Sequence, residues 1–194
     1  MEGDDYLDRR LGDFLEQLSS EESPPGGGAA AALTVSFAAG LVTMVARHSR
    51  PSWEEAAGIA AQARTLQARV APLAQANARA WIAALEALGG KGKEAGEDGK
   101  LEKRLARAAE VPLEIAERAA DVAQLAALAA ERCEGTYRAD AATAAVLAGA
   151  GATAAAHLVA INLAVADDDE RLVRARRNQE IAAAAATRAL DAGP

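Results

Sequence analysis

Four places in this chain hold residue types that could do chemistry. The first is Pro24-Pro25-Gly26-Gly27-Gly28, followed by a run with no charged residue until Arg47. The prolines cannot continue a helix, and the glycines let the backbone turn with no Cβ in the way. A helix that starts behind bare glycine amides offers unpaired N–H groups to an anion or a polar ligand atom. The same residues also make a plain tight turn, and spacing alone favours the turn. No Lys-Ser/Thr follows the last glycine, as a Walker loop requires, and no strand precedes it, as a dinucleotide fingerprint requires. The second place is Asn77, a polar amide within the apolar stripe Val70, Leu73, Trp81, Leu85 and Leu88. It is either a hydrogen-bonded core residue, the commoner case, or the liner of a cavity. The third is the trio Asp140, His157 and Asn162, which interrupts a stretch with no charged residue between Asp140 and Asp167. The fourth is the group Arg171, Arg174, Arg176 and Arg177, whose simplest reading is a solvated face. Cys133 is the single cysteine, and His48 and His157 are the two histidines. That excludes an internal disulfide and a cysteine-based zinc site, and no metal site is expected.

These residues need elements to hold them, and the composition points to helices throughout. Alanine dominates, 51% of residues are apolar and only 3% aromatic. Strong helix formers fill the chain and strand-like runs are absent, so the expectation is an all-α domain spanning 1–194, a bundle of about six long, partly kinked helices. An amphipathic first helix is expected over 4–18, with Leu7, Leu11, Phe14, Leu15 and Leu18 on one stripe. A second runs over about 28–48 and stops before Pro51, where Ser52 and Glu55 can form a capping box. A third over 53–88 should kink at Pro72. Residues 89–99 read as the polar connection. A helix from about Lys100 meets Pro112, where it either kinks or gives way to a second helix over 112–132. The helix with no charge after Asp140 follows over 138–165. Asp167-Asp168-Asp169-Glu170 places negative charge at the start of the last helix, which reaches about Leu190.

Two of these helices are long and uncharged enough to raise a membrane reading. They are built from Ala, Gly and Thr rather than Leu, Ile and Phe, which suits closely packed helices and a subunit interface. A homodimer and no membrane association are therefore expected. The net charge of −7 argues against nucleic-acid binding. The acidic start shows no signal peptide, so a cytoplasmic location is expected.

Several segments, in order, resemble the formiminotransferase-cyclodeaminase C-terminal domain family, which includes free-standing methenyltetrahydrofolate cyclohydrolases. They are Pro25-Gly26-Gly27-Gly28, Ala31-Ala32-Leu33 and Gly40-Leu41-Val42-Thr43-Met44-Val45. Ala76-Asn77-Ala78-Arg79-Ala80-Trp81, Val111-Pro112-Leu113, Ala139-Asp140 with Ala144-Ala145, and Ile161-Asn162-Leu163 follow. The resemblance covers roughly Leu7 to Leu190.

The resemblance implies a helical homodimer that binds a tetrahydrofolate derivative in a cleft, with no further cofactor. It implies either closure of 5-formiminotetrahydrofolate with loss of ammonia or hydrolysis of the methenyl bridge. Both pass through a tetrahedral carbon between two nitrogens and need proton transfer, helped by a carboxylate near the cation. Gly26, Gly27, Gly28, Arg79 and Asn162 are then the expected ligand-binding residues, and Asp140, His157 and Asn77 the expected catalytic ones. The chain departs from the family pattern at four polar positions. Asn77 replaces an acid, Ala29 a serine, Ala139 a serine and Leu158 an asparagine. The Lys-Leu-Pro-Lys segment is reduced to Gly90-Lys91-Gly92-Lys93. An amide cannot exchange protons at neutral pH. The alternative to a folate one-carbon enzyme is therefore a catalytically degenerate member that binds a folate-like ligand or a partner chain without turnover.

Overall fold

The computed structural model describes residues 5–21, 24–89, 98–163 and 169–193. Among the described residues there are seven α-helices: α1 (Leu11–Leu18), α2 (Gly27–His48), α3 (Ala56–Val70), α4 (Leu73–Gly89), α5 (Asp98–Arg132), α6 (Arg138–Leu163) and α7 (Glu170–Asp191). Short 3-10 turns occupy Tyr6–Asp8 and Gly135–Tyr137. Among the described residues there is no strand, as the composition predicts.

The boundaries differ from expectation in three places, each for a local reason. The first helix is short. Asp5 caps a 3-10 turn instead, accepting from the Leu7 amide at 3.0 Å. Only Tyr6 and Phe14 there are buried, ring against ring at 5.4 Å, while Leu7, Leu11 and Leu15 stay exposed. The capping box at Ser52 and Glu55 does not form. The Ser52 hydroxyl donates to the Ser49 carbonyl at 3.2 Å, and the helix starts later, at Ala56, with no side-chain cap. At Pro72 the chain does not merely kink: α3 ends and α4 begins. At Pro112 the opposite holds, and α5 runs through the proline as one helix. The polar connection falls largely on 90–97, outside the described residues.

Alanine sets the packing. α6 buries Ala141, Ala144, Ala145, Ala148, Ala152 and Ala155 against α5, α2 and α7. Small side chains bring helix axes close, so the interior fills with backbone and methyl groups rather than large apolar chains. One close approach is at Gly151, where a Cβ would lie 2.4 Å from Val35 Cγ2 of α2. Gly151→Ala should therefore destabilise the fold by about 1–3 kcal/mol through overpacking, against a helix-propensity gain of about 1 kcal/mol. Adding Val35→Ala should recover much of the loss, which thermal melts of the two single variants and the double variant will show.

The arginines of α7 are partly paired with α5. Arg171 reaches Glu110 at 3.4 Å, Arg174 pairs with Glu117, and Arg188 reaches Glu131 at 2.8 Å. Asp169 caps α7 from the Arg171 amide, and the Arg171 guanidinium beside it holds its carboxyl down to about 2. Asp167 and Asp168 lie outside the described residues.

By length and composition, α2 and the stretch Gly135–Leu163 could each cross a membrane, with mean hydropathies of 1.9 and 1.8. They differ in cover: 61% of the first is buried in the fold and only 44% of the second. The open face of α6 carries Val146, Ala150, Thr153, Ala154, His157 and Ile161, without a single charge.

Candidate functional site

α2 starts without a cap. Its N-cap is Gly26, which has no side chain to offer, and the first intrahelical bond runs from the Ala30 amide to the Gly26 carbonyl at 3.1 Å. The amides of Gly27, Gly28 and Ala29 thus have no helical acceptor, and the first turn holds no acidic residue. These N–H groups form the positive end of a 22-residue helix.

None of the three glycines needs a left-handed backbone. Gly26 is extended (φ −143°, ψ −163°), and Gly193 alone among the described glycines has a positive φ. Gly26 and Gly27 have open space where a Cβ would stand. Gly28 does not. A Cβ there would lie 2.0 Å from Asn77 Oδ1, 2.3 Å from Cγ and 2.6 Å from Nδ2. The Asn77 amide is laid across the first turn of α2, and only glycine leaves room for it. Asn77 comes from α4, is half-buried, and makes no hydrogen bond to another described residue. Its donors and its acceptor are free for a ligand.

A cavity of about 220 Å³ opens at this junction. Pro24, Gly26, Gly27 and Gly28 line one side, Asn77, Ala78 and Trp81 of α4 another. Ala108 of α5 and Leu158, Ile161 and Asn162 of α6 complete the lining. Asn162 is 8% exposed, and its Nδ2 donates to the Ala108 carbonyl at 3.0 Å. Two side-chain amides, bare helix-terminal N–H groups and an indole wall converge on a small apolar space. Such a site suits a flat polar heterocycle held at its edges. No side chain in the described lining titrates.

Five of the eight sequence-derived candidates meet here: Gly26, Gly27, Gly28, Asn77 and Asn162. Asp140, His157 and Arg79 do not line this cavity. Asp140 lies in the first turn of α6, 22 residues before Asn162, which at 1.5 Å per residue is roughly 33 Å away. His157 stands on the exposed face of α6, about 140° round the helix from Asn162. Arg79 is exposed, about 200° round α4 from Asn77. Two of the positions that depart from the family pattern, Asn77 and Leu158, line the same cavity. The sequence did not mark Ala108, because its contribution is a backbone carbonyl.

Residues 10–182 match the sequence profile of the formiminotransferase-cyclodeaminase family. The chain belongs to this family. No curated protein sequence matches it. Among solved structures it is similar to formiminotetrahydrofolate cyclodeaminase from Thermotoga maritima, at 22% identity over 96% of each chain, with a TM-score of 0.86. That likeness shows a shared helical fold.

Proposed function

We propose that this chain binds a one-carbon derivative of tetrahydrofolate in the cavity between α2, α4 and α6, and that it hydrolyses a methenyl bridge. The observation that carries the reading is the convergence of the uncapped α2 amides, Asn77 and Asn162 at one apolar pocket, in a member of this family. Of the two reactions suggested by the resemblance, ammonia release needs an acid to protonate the leaving nitrogen. Water addition to a methenyl carbon starts from a cation. As the C–O bond forms, the water loses one proton to solvent. Its second proton can be relayed to the ring nitrogen expelled when the C–N bond of the tetrahedral carbon breaks, so the step can run without an acid of the protein. A described lining with amides and no titratable side chain favours the second. No metal or nucleotide enters either reaction.

The measurement is direct. Purified protein mixed with methenyltetrahydrofolate should speed the loss of its near-ultraviolet absorbance, and the same protein with 5-formiminotetrahydrofolate should release little ammonia. The reverse pattern overturns the assignment. Binding without any acceleration of either reaction supports the second reading, a degenerate folate-binding member. What favours that reading is Asn77 and Leu158 together in the cavity, two positions where the family pattern has more capable side chains.

The assembly proposed is a homodimer through the open face of α6. In a chain with 25% charged residues, a long helix face without charge is a surface to be covered. Ile161 on that face is 56% exposed and also lines the cavity, so a second copy there would help wall the site. Light scattering should give twice the chain mass for the wild type, and Ala154→Glu should shift it to monomer. A wild-type monomer at micromolar concentration removes the dimer.

A further inference from the structure

α5 carries a proline in its middle and stays helical, and the place where the freed carbonyl goes is informative. Pro112 has no N–H, so the carbonyl of Ala108, one turn earlier, loses its helical donor, and the proline ring pushes against that carbonyl. A buried carbonyl left without a donor is costly. Asn162 supplies the donor from α6, 54 residues away, with Nδ2 3.0 Å from the Ala108 oxygen. This contact also fixes which way the amide points. A carbonyl accepts and cannot donate, so the nitrogen of Asn162 must face α5 and Oδ1 must face away. Oδ1 accepts from no other described residue. It is not sealed in the core either, since Arg118 Nε is the one buried side-chain atom without a partner among the described residues. Ala108 and Asn162 both line the cavity.

We infer that Pro112 is a positioning residue. By withholding its N–H it orients the Asn162 amide with its acceptor oxygen toward the ligand. The ligand group that fits is a heterocyclic N–H or exocyclic amino group, as on the pyrimidine edge of a tetrahydropterin. This rests on the folate reading for the chemistry of the ligand, though not for the orientation of the amide.

Pro112→Ala tests it. The restored N–H at 112 should bond to the Ala108 carbonyl and release Asn162. In the ligand-free protein, nuclear magnetic resonance should show the Asn162 side-chain amide exchanging with solvent at least tenfold faster, with a protected new backbone N–H at 112. The Asn162 signal is assigned by its loss in Asn162→Ala. Titration with 5-formyltetrahydrofolate should show affinity at least tenfold weaker, while the melting temperature holds or rises, because alanine suits a helix interior better than proline. A purely structural proline would move stability and affinity together or move neither. Asn162→Ala should weaken binding in the wild type and add little in Pro112→Ala, since one interaction is removed only once. An unchanged Asn162 amide in Pro112→Ala overturns the inference, as does unchanged affinity once the amide has been released. If the wild type binds no folate at all, the functional reading fails, and the ligand-free amide measurement alone decides the role of Pro112.

Discussion

Asn77→Asp should raise the rate of methenyl-bridge hydrolysis by roughly 10²–10⁴-fold, the usual contribution of one well-placed general base. The side chain at 77 lies across the first turn of α2, against the Cα of Gly28. A carboxylate there meets the unpaired amides of Gly27, Gly28 and Ala29 and the positive end of the helix. Both stabilise its ionised form, so its pKa should lie below the ordinary aspartate value of about 3.9. At neutral pH it is a base. It can take the proton of an attacking water and face the cationic carbon at the same time. The gain should be present above that lowered pKa and vanish as pH falls through it. Desolvation opposes the change, but the helix end offsets part of that cost. The variant should therefore melt close to wild type. A folded Asn77→Asp protein with an unchanged rate would overturn the placement of the reacting carbon beside residue 77.

Gly28→Ala should weaken folate binding by roughly 10–100-fold while leaving a fully folded protein. The added Cβ would overlap three atoms of the Asn77 side chain, which must swing out of the cavity. One polar anchor is lost, at about 0.5–1.5 kcal/mol for its hydrogen bond, and the new methyl shields the helix-terminal amides as well. Nothing in the backbone resists the change, because Gly28 is an ordinary helical residue, and alanine is the better helix former by about 1 kcal/mol. Binding and stability should thus move in opposite directions. Gly27→Ala is the comparison: its Cβ points into open space, and it should lose far less. Calorimetric titration of both variants, with melts taken without ligand, separates the two positions. Equal losses at 27 and 28 would mean that Asn77 is no part of the site.

The glycine motif shows where reading along the chain stops. Pro24-Pro25-Gly26-Gly27-Gly28 marks a helix start without ambiguity, since prolines end one element and a glycine N-cap leaves the next uncapped. What it does not mark is which glycine matters. That depends on a side chain from α4, 49 residues further on, and no local rule contains it. Positive φ, the usual reason for glycine in a turn, is not the reason here.

The same division runs through the other candidates. Asp140, His157 and Asn162 look equivalent as the polar members of one uncharged run. Helical geometry separates them, because 22 residues of rise carry Asp140 to the far end of α6 and a 140° rotation turns His157 outward. Pro112 was legible as a break or a kink, and the rule that it orphans the carbonyl four residues earlier needs only the sequence. The donor that replaces it, on α6, does not follow from that rule.

The sequence by itself determined the class of fold, the order of its long helices and the family, because alanine-rich helix formers, prolines and glycines act locally and the motif segments follow in order. It also determined that one helix would be apolar and free of charge beyond Asp140. Tertiary structure alone decided which face of that helix is buried, that Asn77 rests on Gly28, and that Asn162 answers the carbonyl freed by Pro112. The physical reason is that helix formation depends on neighbours a few residues away, whereas a cavity forms where side chains distant in sequence are brought together by packing.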